Sequence, residues 1–169
     1  MTNKQWVLAR KPLGGLPQTD DFRWETAKLP ETSAGQMLTR TIYLSLDPYQ
    51  WGRRRSGIEL PGDVCHGRTV SQVVHSQLKG FEEGDFVFNT NGWQEFGLTG
   101  DGIGHFGYMF PRKLDAKVAP ISTAIGVMGM LGLLSLIHIS EPTRPRLLSF
   151  AVFCLKKKVG GGGGGGGGG

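Results

Sequence analysis

Only two cysteines, Cys65 and Cys154, occur in 169 residues, and they fall in different parts of the chain. That excludes a disulfide framework and makes a reduced, cytoplasmic setting the expectation. No long apolar run follows the charges of MTNKQWVLARK, so no signal peptide is read there. The longest apolar stretch, Ile121 to Leu134, is interrupted by Gly126, Gly129 and Gly132 and is too short to span a bilayer. Charge of one sign is also scarce in the body of the chain. Residues 1–133 hold 14 Lys and Arg against 13 Asp and Glu, so most of the formal net charge of +5 sits in residues 134–169. A nucleic-acid partner therefore has no electrostatic case.

Metal ligands and nucleophile sets are missing as well. His66 follows Cys65, while His75 and His105 stand alone, and one adjacent Cys and His do not make a tetrahedral site. No metal is expected. The serines lack a nucleophile-elbow context. The run GDGIGHFG at Gly100 to Gly107 is rich in glycine, but no apolar strand leads in and no helix opens out. It reads as a loop and not as a phosphate cradle.

What is present is a series of short alternating segments. Strands are expected at Gln5–Ala9, Phe22–Leu29, Gln36–Leu46, Thr69–Ser76, Phe86–Phe88, Trp93–Leu98 and Tyr108–Leu114, with loops or turns between them. Asn91-Gly92 is a hairpin signal. The organising stretch is Thr41 to Arg53, TIYLSLDPYQWGR. Its strand alternates as one covered on much of both faces, and Asp47-Pro48 stops it. Tyr49 and Trp51 then fall on a turn at the strand end, where scaffolds present ligand-contacting groups. Arg53, Arg54 and Arg55 read as a solvated rim. After Pro120, Ile121–Met128 reads as helix. Six or seven short strands suggest a compact barrel or sandwich.

The motif LSLDPYxxGR resembles the signature of zinc-independent medium-chain reductases near the leukotriene B4 dehydrogenase / prostaglandin reductase group, which includes NADPH-dependent alkenal double-bond reductases. Four further segments agree in order: QWVLARKPLGGLPQTDDF, GRTVSQVVHS, FEEGDFVFNTNGWQEF and AIGVMGMLGL. The resemblance covers residues 1 to about 133. It implies a mainly β fold, a GroES-like partly open β barrel with a C-terminal helix, truncated before the Rossmann domain. It implies NADP(H) as cofactor, an enone or alkenal as small-molecule substrate, no membrane or nucleic-acid partner, and a homodimeric parent. Zinc relatives carry a cysteine near the position of Ser45 and a His-Glu pair further on; here Gly67 follows His66. Tyr49 matches the tyrosine at the substrate and nicotinamide pocket, where its phenol could orient an enone carbonyl or simply line the cleft. Gly129 and Met130 match the corner where backbone groups approach the nicotinamide, although Leu131 replaces the usual proline. Trp93 is read as a core residue.

From Leu134 the resemblance ends. LSLIHISEPTR resembles a translated sequencing-library adapter, LSFAVFCL is close to a second adapter, and Gly160–Gly169 is what a run of G bases encodes. Residues 134–169 are therefore expected to be a non-native, disordered tail, and 1–133 a fragment that is inactive by itself. The alternative is a stand-alone β-barrel binding module with a basic tail.

Overall fold

The computed structural model describes residues 2–104, 110–130 and 132–133. The expectation for residues 134–169 lies outside them. Among the described residues the elements are β1 (Thr2–Leu8), β2 (Phe22–Lys28), β3 (Gln36–Leu44), α1 (Pro48–Ser56), β4 (Thr69–Ser76), β5 (Phe86–Asn89), β6 (Phe96–Gly100) and β7 (Arg112–Leu114). The fold is mainly β, as expected.

β1 and β2 form an antiparallel pair in which Trp6 faces Trp24, their rings edge-on at 5.1 Å. The other strands make a five-stranded sheet in the order β6-β3-β4-β5-β7. β1 is tied to the rest of the fold by backbone bonds from Trp6 N to Trp93 O (2.8 Å) and from Leu8 N to Asp63 O (2.9 Å). Val7, Leu8, Met37, Leu38, Val70, Val73 and Val87 are buried. Alongside these apolar side chains lies a buried polar network. Asn89 Nδ2 lies within 3.0 Å of Thr39 Oγ1, Asn91 Oδ1 and Thr99 Oγ1, and Asn89 Oδ1 accepts from Thr69 and Ser71.

Four expectations are corrected. Asn91-Gly92 does not close a hairpin, because β5 and β6 do not pair. Gly92, at φ +76°, lays the chain against the segment 65–67 instead, with Gly92 N donating to Gly67 O and Trp93 N to Cys65 O. β6 then pairs with β3. The stretch after Asp47 is the helix α1 and not a turn. Proline suits a first helical position, where its missing N–H would have no partner anyway. Gly57 closes the helix at φ +79°, its N–H reaching the carbonyls of Arg53 and Arg54. The outer half of β3 is open, with Ile42 and Tyr43 exposed. Finally, the segment expected as a helix forms a 3-10 turn at Ile121–Ala124 followed by turns, in keeping with Pro120 and the glycines at 126 and 129.

Candidate functional site

The antiparallel ladders bring four chain segments to one end of the five-stranded sheet. Ser45 and Asp47 follow β3, Arg68 precedes β4, Phe88 lies opposite Arg112 near the end of β5, and the segment 118–133 packs across them. Between them lies a cavity of about 430 Å³. Its apolar wall is Phe88, Leu114, Val118, Ile121 and Met128. Gly129, Met130 and Arg68 line both this cavity and a smaller one that leads to Ser45 and Asp47.

Gly129 and Met130 thus stand on the cleft wall. Glycine at 129 is demanded by the local turn, since a Cβ there would lie 2.7 Å from the carbonyl of Ile125. Tyr49 is one residue removed from the cleft. It does not line either cavity, and the Arg68 guanidinium lies 5.5 Å from its ring centroid. The Tyr49 hydroxyl is 2.9 Å from His66 Nε2.

Sequence reasoning weighed His66 only as a metal ligand and set it aside; its place beside Tyr49 was missed. It is 17 residues from Tyr49, and nothing in CHG signals that α1 will swing the phenol onto the imidazole. Burial, then the positive charges of Arg53, Arg68 and Arg54, push its pKa down to about 3, so the ring is neutral near pH 7. Cys65 beside it is a buried thiol pushed up to about 11, chiefly by burial, and is inert as a nucleophile at neutral pH.

The arginines after Tyr49 are not a solvated rim. Arg53 is 9% exposed and Arg54 2%; only Arg55 faces solvent freely. Both buried side chains turn onto Glu59, Arg53 Nε to Oε1 at 3.2 Å and Arg54 Nε to Oε2 at 3.1 Å. Glu59 Oε2 also accepts from the backbone N–H of His66, and Arg54 donates to the His66 carbonyl. This ionic cluster clamps the peptide of His66 under Tyr49. Trp93 stacks on Phe22 at 5.4 Å, and the Arg54 guanidinium lies 4.6 Å from its ring, a packing role as expected. Ser45 Oγ donates to Asp47 Oδ2. Among the described residues no three His, Cys, Asp or Glu side chains group as metal ligands.

The family model described as the N-terminal domain of oxidoreductase matches residues 4–104. The NADPH-dependent curcumin reductase of Escherichia coli is 35% identical over 149 residues, covering 83% of this chain and 41% of that protein. Mouse prostaglandin reductase 1 is 33% identical over 128 residues, covering 75% and 36%. Among solved structures, CurA of Vibrio vulnificus in complex with NADPH superposes with a TM-score of 0.65 at 34% identity, covering 80% of this chain and 40% of that one. The chain thus spans about two fifths of the length of these relatives. The matched residues carry β1 to β6 and α1, the elements that place Tyr49, His66 and Arg68, and the chain belongs to the oxidoreductase N-terminal domain family, the GroES-like half of the medium-chain dehydrogenase/reductases.

Proposed function

We propose that this chain is the substrate-side part of an NADPH-dependent reductase that acts on the carbon–carbon double bond of α,β-unsaturated carbonyl compounds. The observation that carries the reading is the cleft itself. A largely apolar cavity has Gly129 and Met130 on its wall, with Arg68 and the Tyr49–His66 pair at its side. The named activities of the curcumin and prostaglandin reductases support it. In this reading the intact protein is homodimeric and cytoplasmic, residues 134–169 are not part of it, and the chain as written does not turn over substrate.

The residues present fit a nicotinamide. The wall at Gly129 and Met130 is uncharged backbone and thioether, suited to a neutral ring amide, and those two residues would hold it. When bound, the nicotinamide supplies the hydride. The protein's own part is positioning. Phe88, Leu114 and Ile121 exclude water around the alkene. With the substrate carbonyl reaching past Arg68 to Tyr49, which lies behind that side chain and outside the cavity lining, the phenol donates to the carbonyl oxygen and stabilises the enolate that develops there. In this reading His66 carries its proton on Nε2 and the imidazole donates to the phenol oxygen, 2.9 Å away. A neutral imidazole can do this, and its low pKa keeps it neutral throughout the working pH range.

The test is to sequence the source DNA across the codons for Gly129 to Arg144, then to express the whole parent and follow NADPH loss with an alkyl vinyl ketone. Turnover is expected, and Tyr49→Phe should lower kcat about a hundredfold with a smaller change in KM. A parent that consumes no NADPH with any enone would overturn the reading.

A further inference from the structure

We propose that two copies of this chain associate through the open edge of β2, joining their β1–β2 pairs into one continuous sheet across a two-fold axis. This interface lies apart from the cleft and does not rest on the reductase reading. The ladder fixes which backbone groups reach the edge. In β1 the carbonyl of Lys4 and the N–H and carbonyl groups of Trp6 and Leu8 point away from β2, bonding Glu95, Trp93, Cys65, Asp63 and Gly62 at 2.8 or 2.9 Å. β2 is therefore held by Asn3, Gln5 and Val7, which stand opposite Ala27, Glu25 and Arg23. The N–H and C=O groups of Trp24, Thr26 and Lys28 then face outward, and no hydrogen bond meets them among the described residues. The register runs through seven pairs without a bulge, and no proline interrupts the strand. Two of the usual guards of a sheet edge are thus missing.

The side chains of β2 point to a second copy as the occupant. Trp24 is 49% exposed, and Trp6, edge-on to it, 40%. On the other face of the strand, Arg23 and Glu25 lie two positions apart and pair with each other within reach of solvent. An antiparallel copy centred on Trp24 sets Arg23 of each chain opposite Glu25 of the other, and Trp24 opposite Trp24. Opposite charges and aromatic pairs facing one another across strands both stabilise a sheet. Centring on either neighbour instead sets Arg23 against Arg23 or Glu25 against Glu25, and centring on Thr26 forgoes both favourable pairs. The charge pattern therefore selects one register. In it the two Trp24 peptides exchange both N–H···O bonds, and each Thr26 N–H reaches the Phe22 carbonyl of the other copy. A partner of one charge sign would leave Arg23 or Glu25 unanswered, whereas a second copy supplies both signs. The two-fold arrangement uses up the edge, so association stops at a dimer. One strand per copy is a small interface, so the dimer is weak, with Kd on the order of 0.1 mM.

The test is sedimentation equilibrium of the full chain at concentrations from about tenfold below to about fivefold above that Kd. A reversible monomer–dimer equilibrium is expected. Thr26→Pro removes an N–H that β1 does not use, so the monomer keeps its ladder while Kd rises at least about tenfold. Glu25→Arg should weaken the dimer several-fold, and adding Arg23→Glu should restore it, with circular dichroism confirming that each variant folds. Hydrogen exchange gives a second readout: the amides of Trp24 and Thr26 should slow as the concentration rises, and those of Arg23 and Glu25 should not change. A chain that stays monomeric throughout overturns the proposal. So does a dimer that survives Thr26→Pro, which would use another face, or a loss in Glu25→Arg that Arg23→Glu does not repair. Slow exchange at Trp24 and Thr26 at every concentration would mean that another segment of the same chain covers the edge, and equally overturns it. None of these outcomes touches the reductase reading, which stands or falls on NADPH consumption by the parent.

Discussion

Glu59 holds the surroundings of Tyr49 together. One buried carboxylate answers two buried guanidinium groups and a backbone N–H. Removing one member of such a cluster leaves charge without a partner in a poorly solvated place. Glu59→Gln should therefore lower stability by about 3 kcal/mol or more, read as a fall in the urea midpoint. A change within the scatter of surface substitutions would mean that solvent already screens the cluster. His66 provides a pH signature at the same scale. An unfolded histidine takes up a proton near 6.5, and the folded ring resists until about 3. Between those values the unfolded chain binds more protons, so stability rises with pH and is lost on acidification. His66→Phe should flatten the dependence between about pH 6 and 4, measured as unfolding midpoints against pH. Asp21 and Asp85 act lower down. Hydrogen bonds from Arg10 and Lys113 hold those carboxyls below their ordinary value, so their contribution persists until the pH falls through the depressed values. Identical slopes for the variant and the parent sequence would sink the assignment to His66.

At the scale of elements, α1 decides what the site is. Its start was legible as a strand stop at Asp47-Pro48, but the helix itself was not, because PYQWGRRRS has little apolar periodicity to mark a buried face. What it buries is arginine, and that is stable only because Glu59 folds back onto it. The C-terminal end of α1 needs a left-handed residue at Gly57. A Cβ there would meet nothing closer than 3.7 Å, so Gly57→Ala should cost only the backbone strain, about 1–2 kcal/mol by thermal or urea unfolding. A larger loss would mean that the helix end shifts. The strands were easier to read. β2, β3 and β4 lie within two residues of the expected bounds because alternation is a local property. Asn91-Gly92 misled for the opposite reason: the dipeptide reports a left-handed glycine correctly, but not which strand comes next in space.

Among the described residues there are two sheets, and the larger one carries a sizeable buried polar network. Asn89 lies near five hydroxyl or amide groups from β3, β4, β6 and its own segment. Replacing it with leucine keeps the branching of the side-chain heavy atoms but adds bulk and removes five hydrogen bonds. It takes from Thr99 Oγ1 its partner among the described residues, at about 1–3 kcal/mol, while Thr39, Thr69, Ser71 and Asn91 keep other partners. Asn89→Leu should therefore destabilise the fold more than Val87→Ala does, although valine is the apolar residue. Unfolding of the two variants side by side decides this, and the reverse order would show that the network is dispensable. In the sequence, Asn89 and Asn91 sit in FNTNGW and read as turn residues; their burial depends on strands up to 50 residues away.

The sequence by itself determined the strands, the stops, the scarcity of metal ligands and the family signature around LSLDPY. Those are carried by alternation, by proline and glycine geometry and by residue identity, all of which act over a few positions. Only the tertiary structure decided that Arg53 and Arg54 are buried, that Tyr49 meets His66, and that Arg68 stands in the cleft with its Nε unpartnered among the described residues. Each of these depends on where an acid, an imidazole or an empty volume from a distant part of the chain comes to rest. The energy of a charge is set by that surrounding dielectric and by its partners, and no local pattern encodes them.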